Sequence, residues 1–267
     1  MRLAWAFFKR DAMVEMSYRT SFTVQVLGIF LFLAVFYYIG KTFAGQSIPA
    51  LDKYGGSYLA FLLIGVALTD CVGVSLTTFA KQIREGQLTG ALEATLMSPV
   101  SLPVILVYSS LWAYFFSAIR FVMYLALGVT FYKVSVGEAN VPSAVAIFLL
   151  TVLCFAGIGM MWAGVVMIIK RGERIISLGG SVVVLVSGVL FPVSVLPGWV
   201  RVLGELVPLT HALDGMRLAL LQGYGFQDLG MVFLKLTVFA AVLLPAGMGL
   251  FNAAVRIAKR TGSLVEY

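Results

Sequence analysis

The chain holds one histidine, two cysteines and only 12% charged residues in 267 positions. A zinc or iron centre needs several imidazole or thiolate ligands, and His211 has no second histidine or a cysteine to join it, so no metal site is expected. Cys71 and Cys154 both lie inside long apolar runs, which argues against a structural disulfide and leaves the redox compartment unread. The sequence contains no G-x-x-x-x-G-K-[ST] phosphate loop, so the chain is not expected to hydrolyse nucleotide alone or to bind a cofactor of its own. It contains no G-x-S-x-G and no H-E-x-x-H, and so supports neither a serine hydrolase nor a zinc protease. No acid, base and nucleophile cluster stands out, no repeat recurs at a fixed period and no segment is of low complexity.

What is abundant is apolar: 61% of residues are hydrophobic, and the mean hydropathy is +1.00. That is far outside the soluble range and predicts a polytopic membrane protein. A helix needs about 20 apolar residues to cross the hydrocarbon. Six runs meet or approach that length, at 21–40, 57–80, 104–131, 141–169, 175–195 and 229–255. The runs are continuously apolar and do not alternate, which favours an all-α bundle of six spans over a barrel. The first seventeen residues are charged and amphipathic, unlike a cleavable leader.

The net charge of +7 reflects topology more than a nucleic-acid partner. With the amino terminus taken as cytoplasmic, Arg2, Lys9, Arg10, Arg19, Lys81, Arg84, Lys170, Arg171, Arg174, Arg256, Lys259 and Arg260 all fall on the inner side. Lys41, Lys53, Lys133, Arg201 and Arg217 fall outside, an asymmetry that puts both termini in the cytoplasm.

Along the chain, 1–18 sets Trp5, Phe7, Phe8 and Met13 among Lys9, Arg10, Asp11 and Glu15, as in a helix lying in the inner headgroup layer. The second run contains Asp70 and the third contains Arg120, and ionisable groups at such depth must face protein or a wet cavity. With the helices upright and the second span ending near residue 80, they sit about 15 and about 25 Å from the inner surface, a stretched pair. They are either an ion pair joining two spans or part of a substrate pathway. Tyr108, Trp112, Phe116, Arg120 and Tyr124 recur every fourth residue, a stripe that either packs or lines a path for an amphiphile.

Two polar interruptions stand out. The first, 81–103, reads KQIREGQLTGALEATLMSPVSLP. Leu88, Leu92 and Leu96 recur every fourth residue beside Ala91, with Gln87, Thr89 and Glu93 on the other side, so a short amphipathic helix is expected. Gly86 bounds it in front and Ser98 and Pro99 bound it behind. Such a helix either docks a partner or lies on the lipid surface. The second, 191–227, is broken by Pro192, Pro197 and Pro208 yet is too apolar for an open loop, and reads as a re-entrant or interfacial hairpin with Trp199 near its start. His211 and Arg217 read there as an interfacial hydrogen-bonding pair.

Taken together, the amphipathic start, GALEATLMSPVS at 90–101 and LPGWVRVLGELVPLTHALDGMR at 196–217 resemble the type-2 ABC exporter permease family. Pro208, Leu209, His211 and Arg217 match the family's outer pattern, while Gly90, Leu92, Glu93, Ser98, Pro99 and Val100 match its inner one, with Ala91 standing where threonine is usual. The resemblance implies one permease domain over 1–267, two copies of it, as a homodimer or a heterodimer, and two separate ABC ATPase subunits holding ATP and magnesium. It implies that Glu85, Gly86, Leu88, Leu92, Glu93 and Leu96 belong to a coupling helix seated in the ATPase, and that Pro197, Trp199, Pro208, His211 and Arg217 cap the pathway outside. It further implies export of a drug, lipid or lipid-linked saccharide across a bacterial-type cytoplasmic membrane. An ion-coupled secondary transporter using Asp70 and Arg120 is the alternative.

Overall fold

The computed structural model describes residues 2–17, 19–42, 49–90, 95, 97, 100–134, 139–169 and 173–261. Among them every regular element is helical, and nine α-helices follow one another: α1 Arg2–Ser17, α2 Arg19–Thr42, α3 Tyr58–Leu88, α4 Leu102–Thr130, α5 Val141–Ile168, α6 Glu173–Val186, α7 Gly198–Glu205, α8 Pro208–Leu221 and α9 Gly230–Thr261. Two 3-10 turns, Pro49–Tyr54 and Val193–Val195, join them.

Helix boundaries follow the local chemistry. Ser57 Oγ accepts the Ala60 N–H at 3.3 Å and starts α3, and Asn140 Oδ1 accepts the Ser143 N–H at 3.2 Å and starts α5. Pro103 and Pro142 occupy the first turns of α4 and α5, where a missing N–H costs nothing. At its far end α3 stops at Thr89, and Gly90 follows at φ +69, the left-handed conformation that ends many helices.

The helix α3 is the axis of the bundle. Its residues 60–68 are buried without a break, and α4, α5 and α8 pack round it. Antiparallel packing of α3 on α4 sets Leu63 against Gly128 and Phe79 against Tyr114, with the Cys71 thiol donating to the Ser117 carbonyl at 3.5 Å. Small residues let α5 approach its neighbours: a methyl group at Gly157 would lie 2.5 Å from the Leu243 carbonyl oxygen of α9. By contrast α2 and α9 each carry a row of exposed apolar side chains, among them Leu27, Leu31 and Val35 of α2 and Leu234, Val238 and Val242 of α9, and Leu178, Val182 and Leu185 of α6 are exposed too.

Five helices among the described residues are long and apolar enough to cross a membrane: Thr23–Lys41, Tyr58–Leu88, Leu102–Thr130, Val141–Ile168 and Gly230–Arg260. The fifth expected run differs. Its helix α6 stops at Val186 after 14 residues, which gives it a length of only about 21 Å. Gly188 then turns the chain at φ +76, and 187–195 is non-helical apart from the Val193–Val195 turn. An apolar run cannot reveal such a break, because hydropathy counts side chains and the break lies in the main chain.

Candidate functional site

The α3 helix runs through Gly86 to Leu88, so Gly86 opens no separate helix. Glu85, Gly86 and Leu88 belong to the last turns of α3, with Glu85 and Leu88 exposed. Leu92, Glu93 and Leu96 lie outside the described residues. This extension past residue 80 also corrects the expected depths. Asp70 lies 18 residues before Leu88 and Arg120 lies 18 residues after Leu102 (88 − 70 and 120 − 102), so both sit about 27 Å from that end. They are level and not stretched.

At that level Arg120 Nη2 stands 3.2 Å from Asp70 Oδ2. The pair is one wall of a cavity of about 570 Å³ between α2, α3, α4 and the turn after α6. Its remaining lining includes Gln25, Phe32, Thr69, Tyr124, Val189 and Leu190, so a charged pair and three polar side chains, those of Gln25, Thr69 and Tyr124, sit in an otherwise apolar chamber. Second and third spaces, of about 420 and about 410 Å³, share Gly73, Leu76, Ser177 and Gly180 along the groove between α3 and α6.

The aromatic stripe of α4 does two different things. Near the start of α4, Phe7 lies 6.5 Å from Tyr108, and Phe8 lies 5.1 Å from Trp112 and 5.5 Å from Phe115, so this half seats α1. Higher up, the Arg120 guanidinium lies 5.9 Å from the centre of the Phe116 ring, and Arg120 and Tyr124 face the cavity. A strict spacing of four drifts round a helix, which is why one stripe meets two partners.

At the opposite end from Leu88, α7 carries Trp199, Val202 and Leu203 on one exposed face, which Leu206 continues just after the helix. It rests on α6 through Gly204, where a methyl group would meet the Val186 carbonyl oxygen at 2.6 Å. The next helix, α8, differs from the interfacial hairpin arm expected: Pro208 opens it, and most of its length is buried against α3, α5 and α9. His211 and Arg217 do not pair. Six residues apart on one helix, they point to different sides. The His211 ring donates its Nε2–H to the Glu205 carbonyl at 2.9 Å and stacks on Phe239 at 5.9 Å. Burial lowers its pKa, against the opposing pull of the Glu205 carbonyl, and favours the neutral imidazole.

Arg217 is buried instead. Its Nε donates to the Phe61 carbonyl at 3.3 Å, and Nη1 and Nη2 donate to the Gly188 and Val189 carbonyls, both at 3.0 Å. The guanidinium lies flat on the Phe61 ring, 3.3 Å from its centre. Beside it the Tyr54 hydroxyl donates to Asp214 Oδ1 at 2.7 Å, and Lys53 Nζ meets the same oxygen at 2.6 Å. Burial, then the Asp214 charge, raises the Tyr54 pKa and keeps that phenol a donor. Sequence reasoning missed this knot. Its signal was an aspartate and an arginine three residues apart in the otherwise apolar stretch LDGMRLALL.

Among the described residues no cluster of histidine, cysteine, aspartate and glutamate could hold a metal ion. What is assembled is a charged chamber in a helical bundle with membrane-length helices. The family model for ABC-2 type transporters matches residues 3–221. The chain belongs to the ABC-2 type transporter family. A comparison with curated proteins returned no match. As an ABC-2 member the chain is the transmembrane component of an ABC transporter, a transport subunit of a family that normally works with an ATPase subunit.

Proposed function

We propose that this chain is the permease of an ATP-driven exporter that moves an amphiphilic molecule, a drug, lipid or lipid-linked saccharide, out across a bacterial-type cytoplasmic membrane. The observation that carries the reading is the Asp70 and Arg120 pair facing an apolar chamber of about 570 Å³. A charged head and a greasy body find complementary walls there, and Tyr124 adds a ring and a hydroxyl. In this reading α6 and the turn after it form a sixth, interrupted crossing, which puts both termini in the cytoplasm and the α7 and α8 hairpin outside. The exposed apolar faces of α2 and α6 meet lipid or a second copy of the permease.

The ATPase, two copies with ATP and magnesium, grips the segment 81–103, led by Glu85, Gly86 and Leu88 and continued by Leu92, Glu93 and Leu96. Docking there transmits force directly, because α3 runs without a break from Leu88 to Asp70 and on to Tyr58. Nucleotide-driven closure would tilt one rigid helix that carries both the grip and the chamber wall.

The test is coupling. In proteoliposomes containing permease and ATPase, Leu92→Asp and Glu93→Lys are expected to leave insertion and ATP hydrolysis intact and reduce transport at least tenfold. Transport unchanged in both variants would refute the docking assignment.

A further inference from the structure

Among the residues whose side chains are described, Arg217 is the one charged residue that is fully buried, at 2% exposure, and its side-chain hydrogen bonds go to no carboxylate. Its donors go to main-chain oxygens. Two of these, Gly188 and Val189, belong to the turn where the helical bonding of α6 has ended. The next carbonyl, Leu190, accepts from the Tyr58 hydroxyl at 3.1 Å. Three successive carbonyls of one non-helical turn are therefore bonded to side chains of α8 and α3. At membrane depth no water replaces such donors, so non-helical main chain persists there only where protein supplies them.

The turn is also part of the chamber. Val189 and Leu190 line the Asp70 and Arg120 cavity, and Leu190 and Phe191 line the groove between α3 and α6. The seat on α3 is cut to fit: a methyl group at Gly65 would lie 2.5 Å from the Val189 carbonyl oxygen and 2.8 Å from Arg217 Nη2. Gly188, at φ +76, provides the bend.

We propose that Arg217 is the positioning residue of a latch: its guanidinium clamps the turn 187–190 onto α3 and closes the hairpin end of the cavity. Cargo passes that end only when the fork lets go of the turn. A planar guanidinium with five N–H groups can reach three fixed carbonyls at once, while the single ammonium of lysine cannot hold the same set. The consequence for cargo rests on the transport reading above. The clamp itself does not.

Ser187, at 1% exposure and next to the bend, is the reporter. Ser187→Cys changes little volume, and the native Cys71 and Cys154 are free but buried, so the parent chain's own labelling is subtracted as background. Labelling with a membrane-impermeant maleimide is followed in intact membranes. The rate is expected to rise at least tenfold when Ser187→Cys is combined with Arg217→Lys, and equally with Gly65→Ala, which keeps the arginine but pushes both the Val189 carbonyl and the guanidinium off the seat. Gly249→Ala, where a methyl group meets nothing within 4 Å, should leave the rate unchanged. Rates within twofold of the parent in both test variants, in protein that still elutes as a folded species, would overturn the latch. If neither variant accumulates, Ser187→Cys alone decides: its labelling must accelerate during ATP-driven turnover, and a constant rate overturns the proposal. Resting labelling needs neither ATPase nor cargo. Flat labelling beside intact ATP-driven transport would remove only the latch, and altered labelling without any transport would remove only the exporter reading.

Discussion

A carboxylate and a guanidinium 3.2 Å apart at mid-bundle each make the other tolerable. Their side chains keep 28% and 20% exposure to the chamber, so the pair is neither dry nor fully wet. Breaking a fully buried pair costs about 3–5 kcal/mol, and partial hydration here should bring Asp70→Asn or Arg120→Ala to about 1–3 kcal/mol. The double variant Asp70→Asn with Arg120→Gln should recover most of that loss in thermal unfolding in detergent, since no lone charge remains. Function should not recover with it. Cargo stimulation of the ATPase is expected to fall several-fold in Arg120→Ala and to stay low in the double variant. Stimulation at the native level in a stable double variant would leave the pair a structural tie alone. The sequence made both residues conspicuous, because ionisable groups are rare in such runs. It could not give their level, which depended on where α3 ends.

At the scale of the element, the small residues of α5 matter because a helix pair in lipid gains stability from close contact and not from burial away from water. A methyl group at Gly157 would lie 2.5 Å from the Leu243 carbonyl oxygen and 2.6 Å from its carbon, next to the turn of α9 that contains Pro245. Gly157→Ala should therefore lose about 1–3 kcal/mol by overpacking, despite its better helix propensity. Gly249→Ala, in open space on α9, should lose nothing and gain up to about 1 kcal/mol. Thermal midpoints of the two variants in one detergent check the contrast, and equal midpoints would mean that α5 and α9 do not meet at this crossing. Long helices such as α3, α4, α5 and α9 were legible because a stretch of about 20 apolar residues has few other fates. The end of α6 at Val186 and the burial of α8 were not. Both are set by who donates to a handful of carbonyls, and the principal donor, Arg217, lies about 30 residues further on, beyond the reach of any local periodicity.

For the whole molecule the question is what drives it. A secondary transporter would need a group at mid-membrane that exchanges its partner for an ion in each cycle. Asp70 is the natural candidate, but Arg120 occupies it at 3.2 Å, so binding an ion there would strand a guanidinium in the chamber. ABC-2 membership points to the other source of work, a soluble ATPase acting on the bundle from outside. For the proposed coupling the route would be short: α3 ends in exposed Leu88 and carries Asp70 at the chamber and Phe61 against the Arg217 knot, all on one continuous helix. In inside-out vesicles holding both subunits, accumulation of a fluorescent amphiphile is expected to require ATP and magnesium. It should persist when ionophores collapse the proton and sodium gradients. If uptake instead followed those gradients and ignored ATP, Asp70 would have to leave Arg120 in each cycle, and the rigid link along α3 would have nothing to transmit.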